Sequence, residues 1–342
     1  MKVSIPQVFW GQLTDTVPPV VEKNLEGKTV LVTGANVGLG FEAAKHFARM
    51  NPGKLIIACR DQQRGDAALQ SIKKDTGCEK VELWLLDLAD FGSVKSFARR
   101  FGEQEQRLDI LVENAGIVPG FKAEITRDGW ESTLQVNNLS TSLLALLLLP
   151  RMIATAKTYN TTPRLVVVAS EVHYWTTIGP EVIDSANPWK LFGKDKDYIA
   201  KKLLIRYHDT KLLNIFFARA LNERLRGEPI IVNTVNPGYC YSNLSRNMPS
   251  IILMLDKLAK WIFARTTEQG SRSLVWAAIG GDEDREKLRG AYVALCQVSE
   301  ASDYVLSDEG KRAQDVLWND LIKELTVIEP DIRQIILDNL KD

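Results

Sequence analysis

The sequence is poor in the residues that build disulfide frameworks and metal sites. Its 342 residues include only four cysteines and three histidines, and no two cysteines have the CxxC spacing. A chain of this length rarely depends on disulfides, and scattered cysteines offer no zinc-ligand pattern. We therefore expect neither a disulfide framework nor a bound metal.

Net charge and long apolar runs are also lacking. The 43 Lys and Arg residues balance the 43 Asp and Glu residues, which argues against nucleic acid or an anionic membrane surface as the main partner. The longest apolar run, Leu143 to Pro150, is far shorter than the ~20 residues that span a membrane. The first residues show no secretory pattern. These absences predict a cytoplasmic protein without an integral membrane segment.

From residue 28 onward, short apolar strands alternate with helical segments. Strands are predicted at 28–33, 54–59, 80–86, 108–112, 164–169, 229–235 and 291–295. Helices are predicted at 40–50, 62–75, 91–105, 130–157, 205–226, 249–264, 267–280, 308–325 and 330–340. Strands without polar alternation are buried on both faces, as in a parallel sheet covered by helices. The pattern predicts an α/β fold: a single Rossmann-type, doubly wound parallel sheet with helices on both faces and a C-terminal helical elaboration.

A glycine-rich turn joins the first predicted strand to the first helix. The segment TGANVGLG, residues 33–40, has the spacing GxxxGxG. Its glycines permit a tight turn, close approach of the backbone to a phosphate, and close packing of helix on strand, while the helix N-terminus attracts an anion. The turn predicts dinucleotide binding through Gly34, Asn36, Val37, Gly38, Leu39 and Gly40.

The residue at the end of the second strand predicts which dinucleotide binds. Arg60 stands where an acidic residue would bind the ribose 2′-hydroxyl of NAD. An arginine suits the 2′-phosphate of NADP, and Arg64, one helical turn on, could reinforce it. We therefore expect NADP(H) as cofactor, with NAD as the alternative.

Two YxxxK segments compete for a catalytic role. Tyr198 with Lys202 and Tyr207 with Lys211 have the same spacing, which places a phenol and an ammonium group on one helix face. A nearby cation favours the phenolate and lowers the pKa of a tyrosine, which suits proton exchange near neutral pH. Spacing alone does not choose between the two pairs.

Taken together, these segments resemble the short-chain dehydrogenase/reductase family. The motifs GxxxGxG, NAG at 114–116, YxxxK and a PGxxxS version of PGxxxT follow the family's order over about residues 28–245. TGANVGLG, ACRD and VNNLS resemble the retinol-dehydrogenase-like branch, although Glu113 stands where members often have a second asparagine. The resemblance favours Tyr207 over Tyr198, because a threonine precedes Lys211 and an apolar helix follows.

The resemblance also implies a catalytic and a cofactor site. It assigns catalysis to Asn137, Ser170, Tyr207 and Lys211, with Asn138 as the neighbouring rival of Asn137. Tyr207 would exchange a proton with the substrate oxygen while hydride passes between nicotinamide and carbon. Tyr207 and Lys211 would contact the cofactor too, together with Asp87, Leu88, Asn114, Ala115, Gly116, Pro237, Gly238 and Ser242.

We divide the chain into an N-terminal arm, residues 1–27, a main domain, residues 28–300, and a C-terminal helical extension of that domain, residues 301–342. Phe9 and Trp10 are expected to dock the arm. The segment 171–206 is longer than in plain family members and is predicted to be a substrate loop. Residues 243–265 correspond to the family's lid, and their apolar face either walls the pocket or packs in the core.

Aromatic and Met-rich segments favour a bulky, apolar substrate. Substrate contacts are expected from His173, Tyr174, Trp175 and Tyr239, and apolar residues of 243–265 include Met248, Ile251, Ile252, Met254, Leu255 and Trp261. The predicted function is NADP(H)-dependent reduction of a bulky apolar ketone or aldehyde, or oxidation of the matching alcohol, in secondary metabolism. A non-catalytic NADP(H)-binding sensor or scaffold is the alternative. The helices near 130–157 and after Tyr207 pair subunits in many family members, so either a monomer or a homodimer is open.

Overall fold

Eight strands form one sheet at the centre of the computed structural model, which describes residues 3–225, 227–242 and 250–341. The strands are β1 (Thr29–Thr33), β2 (Lys54–Cys59), β3 (Val81–Leu85), β4 (Ile110–Glu113), β5 (Arg164–Val168), β6 (Ile231–Asn236), β7 (Tyr292–Ala294) and β8 (Gln297–Ser299). Their order is β3-β2-β1-β4-β5-β6-β7-β8, and every pair is parallel except β7 with β8. The predicted doubly wound parallel sheet is confirmed, with β8 as an additional antiparallel edge strand.

Fifteen α-helices surround the sheet in the part of the chain that the structure describes. They are α1 (Ile5–Thr14), α2 (Gly38–Arg49), α3 (Gln62–Thr76), α4 (Phe91–Gln104), α5 (Ser132–Leu134), α6 (Ser140–Tyr159), α7 (Pro180–Ile183), α8 (Pro188–Lys194), α9 (Lys196–Lys202), α10 (Arg206–Arg224), α11 (Ser250–Phe263), α12 (Thr267–Ile279), α13 (Asp303–Leu306), α14 (Asp308–Ile328) and α15 (Asp331–Asn339). A π-helical turn, Gln135–Leu139, joins α5 to α6, and 3-10 turns cover Glu171–Trp175, Leu203–Ile205 and Asp282–Leu288. The segment 171–206, predicted as a long substrate loop, contains a series of short helices.

Alternating strand residues feed two separate hydrophobic cores. Leu31 of β1 packs in the core formed with α4, α6 and α10, whereas Val30 and Val32 pack in the core formed with α2, α3 and α12. All five residues of β1 are buried, while the edge strand β3 alternates between buried and exposed positions. Burial on both faces is what the unbroken apolar strands predict.

The N-terminal segment contains a helix that the sequence pattern does not predict. Ser4 caps α1 through a capping box with Gln7, and Pro6 lies in the first turn, so the helix begins on local signals. The ring of Phe9 lies 4.7 Å from that of Phe263, whereas Trp10 is 69% exposed. Phe9 docks the segment as expected, and the expectation for Trp10 is wrong.

The C-terminal helices cover the two helices that pair subunits in many family members. Helix α14 packs against α10, and α15 packs against α6. The segment Ser132–Tyr159 is long and apolar enough to cross a membrane, yet 78% of its most apolar window is buried inside the protein. Core helices pass the same test of length and composition, and α6 lies in the core.

Candidate functional site

A cavity of about 430 Å³ opens at the carboxyl ends of the parallel strands. It lies where the chain order reverses between β1 and β4, the usual ligand site of open α/β sheets. Among the residues that line it are Gly34, Asn36, Val37, Gly38, Leu39, Arg60, Asp87, Leu88, Asn114, Ala115, Gly116, Ser170, Tyr207, Lys211, Pro237, Gly238, Tyr239 and Ser242. Every predicted cofactor residue except Gly40 therefore borders one cavity.

The glycine-rich turn has the geometry that its spacing predicts. Gly34 has φ +66°, and a Cβ there would lie 2.8 Å from the Cα of Ala115. Gly38 also has a positive φ, of +69°, but no described atom lies within 4 Å of a Cβ position there. Gly40 has no room for a Cβ, because Asn114 packs directly against it. Gly34 and Gly40 thus allow close packing, while Gly38 leaves open space.

That open space fits a phosphate group. Helix α2 begins at Gly38, and its N-cap residue, Val37, makes no side-chain capping bond in the described structure. The first N–H groups of the helix therefore remain available for an anion and carry the positive end of the helix dipole. The residues present fit a dinucleotide whose phosphates lie at this turn.

Arg60 stands at the exposed end of β2 and lines the cavity. The adjacent carboxylate, Asp61, caps α3 by accepting from the backbone N–H of Arg64 at 2.8 Å. Asp61 is therefore engaged at the helix N-terminus, and Arg60 supplies the charge at the cavity rim. The side chain of Arg64 is exposed and does not line the cavity.

The NAG segment fastens β4 to the glycine-rich turn. The Thr33 hydroxyl accepts from the backbone N–H groups of Asn114 and Ala115, each at 3.1 Å. The Asn114 amide donates back to the carbonyl oxygens of Thr33 and Gly34, at 3.0 and 3.2 Å. Asn114 is thus a structural link between two cavity-lining loops.

Tyr207 and Lys211 lie one turn apart at the start of α10, with the Lys211 Nζ 5.5 Å from the centre of the tyrosine ring. Lys211 donates to the carbonyl oxygen of Val168 at 2.7 Å, and burial lowers its pKa to about 8. Burial raises the pKa of Tyr207, the charge of Glu171 raises it further, and a hydrogen bond with Ser170 opposes both. The expected lowering of the Tyr207 pKa by Lys211 is not met in the protein alone: burial raises this pKa, and the hydrogen bond with Ser170 is what acts to lower it.

Asn137 and Asn138 lie side by side in the π-helical turn between α5 and α6, and they have different hydrogen-bond partners. The Oδ1 of Asn137 accepts from the backbone N–H of Ile117 at 2.8 Å, and its Nδ2 donates to the Thr210 hydroxyl at 3.1 Å. Asn138 instead donates to the side chain of Asn214 at 2.6 Å. Asn137 Oδ1 and Lys211 Nζ both lie within 4 Å of the Cβ position of Gly116. Asn137 and Lys211 therefore both lie near Gly116, although Asn137 does not itself line the cavity.

The second YxxxK pair lies elsewhere. Tyr198 is on the short helix α9, and its ring meets that of Phe192 edge-on at 5.6 Å. Burial raises its pKa. Neither Tyr198 nor Lys202 lines the cavity.

Three of the four predicted substrate contacts lie outside the cavity lining. His173 is fully buried: its Nε2 accepts from the backbone N–H of Ser302 at 3.2 Å, so its Nδ1 is the nitrogen that donates to the carbonyl of Ser170. The Tyr174 hydroxyl donates to the carbonyl of Glu300, and the Trp175 indole donates to that of Val3 at 2.7 Å. The expectation for these three is corrected, because the 3-10 turn directs them to segments far along the chain. Tyr239 does line the cavity.

Helix α11 presents its polar side to the cavity. Asp256 and Lys260 line it, whereas four apolar residues at spacings of four, seven and eight are exposed: Met254, Leu258, Trp261 and Ile262. The described apolar face therefore neither walls the pocket nor packs in the core, contrary to both expectations. Met248 and the side chains of Ile251, Ile252 and Leu255 lie outside the described residues. Sequence reasoning missed Glu171, Asp256 and Lys260 as lining residues, since no motif marks them.

Among the described residues, no group of three or more His, Cys, Asp or Glu side chains is placed to hold a metal ion. The cavity instead combines an anion-accepting turn, an arginine at its rim and a Ser-Tyr-Lys group whose lysine is buried. This combination suits an organic cofactor and a proton-transfer reaction.

The chain is similar to known proteins over most of its length. Residues 28–173 match the sequence model for short chain dehydrogenases. The chain is 38% identical to the short chain dehydrogenase/reductase dmxR8 of Cryptosporiopsis sp. over 320 residues, 92% of this chain and 95% of that protein. It is 33% identical to the short-chain dehydrogenase/reductase ffsI of Aspergillus flavipes over 341 residues, 99% and 97% of the two chains.

Solved structures share the fold at lower identity. The Pseudomonas aeruginosa RhlG/NADP active-site complex matches with a TM-score of 0.60 and 22% identity, over 79% of this chain and 95% of that one. A short chain dehydrogenase of Escherichia coli CFT073, complexed with NADPH, matches with a TM-score of 0.56 and 20% identity, over 80% and 98%. With its fold, its motif order and these relatives, the chain belongs to the short-chain dehydrogenase/reductase family of nicotinamide-dependent oxidoreductases.

Proposed function

We propose that the protein is an NADP(H)-dependent carbonyl reductase or alcohol dehydrogenase. The observation that carries the proposal is the meeting of Ser170, Tyr207 and Lys211 at one end of a cavity whose other end fits a dinucleotide. When bound, the cofactor supplies or accepts the hydride. The substrate is a bulky ketone or aldehyde, or the matching alcohol, consistent with a role in secondary metabolism.

The side chains have separate roles in this proposal. The Ser170 hydroxyl hydrogen-bonds the substrate oxygen and Tyr207 donates a proton to it during reduction, or removes one during oxidation. Lys211, held by the Val168 carbonyl, places a positive charge beside the phenol. Asn137 donates to the hydroxyl of Thr210, which in turn donates to the Tyr207 carbonyl and so supports this turn of α10. A tyrosine is protonated at neutral pH at its ordinary pKa of about 10, and burial raises the pKa of Tyr207 further, so the phenol holds the proton that carbonyl reduction requires.

The preference for NADP(H) over NAD(H) is supported by the cavity rim. Arg60 lines the cavity at the end of β2, and the neighbouring carboxylate, Asp61, is engaged in capping α3. A guanidinium group can bind a 2′-phosphate with two hydrogen bonds, which the 2′-hydroxyl of NAD cannot match. Two similar folds are known as NADP or NADPH complexes.

The oligomeric state and location are proposed on narrower grounds. Because α14 and α15 cover the faces of α10 and α6, we propose a monomer rather than a dimer formed through these two helices. Size-exclusion chromatography with light scattering measures this directly. A cytoplasmic location remains our proposal from the sequence alone.

NADPH consumption with a panel of bulky ketones and aldehydes tests the function. We expect turnover by the natural protein, a fall of about 10²- to 10⁴-fold in Tyr207→Phe, and little change in Tyr198→Phe. Isothermal titration should show that both variants still bind NADPH. NADPH binding without turnover of any carbonyl or alcohol would contradict the proposal and favour a sensor or scaffold.

A further inference from the structure

Three hydrogen-bonded side chains form a polar wall of the cavity: Tyr239, Asp256 and Lys260. The Tyr239 hydroxyl donates to Asp256 Oδ1 at 2.9 Å, and Lys260 Nζ lies 2.6 Å from Asp256 Oδ2. Lys260 is only 8% exposed, and it also donates to the carbonyl oxygen of Ser242 at 2.9 Å. The polar wall therefore joins the loop after β6 to α11 as one connected unit.

Two residues of the polar wall, Asp256 and Lys260, belong to a helix in which four of the described apolar residues are exposed. Leu258 and Trp261 are 55% and 76% exposed, while Lys260 between them in the sequence is buried. Burying charged groups costs free energy, and leaving large apolar groups in water forgoes hydrophobic stabilisation. Asp256 and Lys260 line the cavity while they pair with each other, and this polar lining favours a polar ligand in the cavity.

The polar wall lies at the end of the cavity where the reacting carbonyl must stand. It follows β6, beside Ser170 at the end of β5, whereas Arg60 and Asp87 follow β2 and β3 on the other side of β1. Glu171 adds another carboxyl group to the cavity and accepts from the Asn236 amide at 2.7 Å. The nicotinamide end thus holds several hydrogen-bonding groups beyond those that the reaction uses.

We infer that the substrate carries hydroxyl groups close to its reacting carbonyl and that the polar wall binds them, an inference that rests on the proposed function. A phenolic or enolic hydroxyl can donate to Asp256 and accept from Lys260 or Tyr239. The carbon skeleton would pack against apolar lining residues such as Ile117, Val118 and Val136. A hydroxylated aromatic ketone can hydrogen-bond the polar wall and pack against the apolar lining, whereas a plain hydrocarbon ketone adds no hydrogen bond to the polar wall.

Matched ketones test this inference: 1-tetralone and its ring-hydroxylated derivatives, assayed by NADPH consumption. We expect at least one hydroxylated 1-tetralone to exceed 1-tetralone in kcat/KM by roughly tenfold or more, the effect of one good hydrogen bond to a charged group. Lys260→Met should abolish most of that preference, so that the ratio of kcat/KM for the hydroxylated ketone to that for 1-tetralone falls toward one. Lys257→Met is the matched control, because Lys257 is exposed on the same helix and should keep the preference.

Each result has a defined meaning. The inference is overturned if plain and hydroxylated ketones have equal kcat/KM, or if Lys260→Met keeps the preference. In either case the proposed function still holds if turnover requires Tyr207. If Lys260→Met changes only the NADPH dissociation constant, the polar wall binds the cofactor rather than the substrate. That result also overturns the inference.

If no tetralone is turned over, tryptophan fluorescence with NADP⁺ present measures binding of the same ketones. Lys260-dependent binding of the hydroxylated ketone alone supports the inference although the proposed activity fails. Equal or absent binding overturns the inference. Circular dichroism and thermal unfolding of Lys260→Met and Lys257→Met establish that both variants are folded.

Discussion

Two tyrosine–lysine pairs with identical spacing lie nine residues apart and have different surroundings. Tyr207 and Lys211 begin the long helix α10 and line the cavity, and Lys211 is held by a backbone carbonyl of β5. Tyr198 and Lys202 lie on the seven-residue helix α9, and Lys202 approaches Glu181 at 3.7 Å near the surface. The two pairs share one sequence motif, but only Tyr207 and Lys211 lie beside the end of a strand, β5, in the described structure.

The comparison teaches that residue type and spacing do not define a site by themselves. A residue at the end of a neighbouring strand must complete it. Ser170 reaches Tyr207 because β5 ends beside α10, and no equivalent strand end lies beside α9 in the described structure. The following predictions each set one residue against a chemically similar one in a different setting.

The largest effect is expected from removing Lys211, with removal of Lys202 as the control. Lys211→Met should lower kcat/KM for carbonyl reduction by roughly 10²- to 10⁴-fold, because it removes the charge that supports proton transfer by Tyr207. Lys202→Met should change kcat/KM less than about twofold, since Lys202 does not line the cavity. Steady-state NADPH oxidation measures both, and similar losses in the two variants would end the distinction between the pairs.

The next effect concerns the ion pair that anchors the start of α10. Arg206 and Glu131 are both fully buried, 3.5 Å apart, and Arg206 also donates to the Phe192 carbonyl at 2.8 Å. Arg206→Met leaves the Glu131 carboxylate buried without its counter-ion and should lower the free energy of unfolding by about 3–5 kcal/mol. The half-exposed Lys202–Glu181 pair is the control: Glu181→Gln should cost at most ~1 kcal/mol. Urea unfolding measures the free energy of unfolding of both variants. Equal losses of stability would contradict the expected difference between the buried and the half-exposed ion pair.

A smaller effect is expected on cofactor preference, where Arg60 and Arg64 should differ. Arg60→Glu should shift the ratio of kcat/KM for NADPH to that for NADH by roughly 10- to 100-fold toward NADH, because it replaces the charge at the cavity rim by one that repels a 2′-phosphate. Arg64→Glu should shift the ratio much less, since Arg64 does not line the cavity. An unchanged ratio in Arg60→Glu would remove the basis for NADP(H) preference.

Most features that the sequence predicts are built from local backbone geometry, although α1 was missed despite its local capping box. The strands and the turn around Gly34 and Gly38 depend on residues close together in the chain, so apolar runs and glycine spacing indicate them. The burial of His173 depends on the N–H of Ser302, and the docking of Phe9 depends on Phe263. The orientation of α11 likewise depends on the cavity that Lys260 faces. Such long-range contacts leave no periodic or spacing signal near the residue concerned.

The most strongly pH-dependent effect concerns two glutamates in different surroundings. Glu113 at the end of β4 is 3% exposed, and neither carboxylate oxygen has a hydrogen-bond partner in the described structure. Burial raises its pKa well above the usual value. For Glu82 on β3, burial also acts to raise the pKa, but hydrogen bonds from Trp84 and Lys54 outweigh it and hold the pKa below its usual range.

These two shifts give opposite pH dependences of stability. Above the unfolded-state pKa of about 4.3, the folded protein keeps a proton on Glu113 that the unfolded chain has released, so the free energy of unfolding falls as pH rises, by up to about 1.4 kcal/mol per pH unit. Glu113→Gln should remove this fall and be more stable than the natural protein at pH 7 but not at pH 4. Glu82→Gln should lose stability at pH 7 instead, because the stabilisation from the ionised Glu82 is present above its unfolded-state pKa. Urea unfolding at both pH values measures the differences; a Glu113→Gln variant no more stable at pH 7 than at pH 4, relative to the natural protein, would show that Glu113 is ionised and paired.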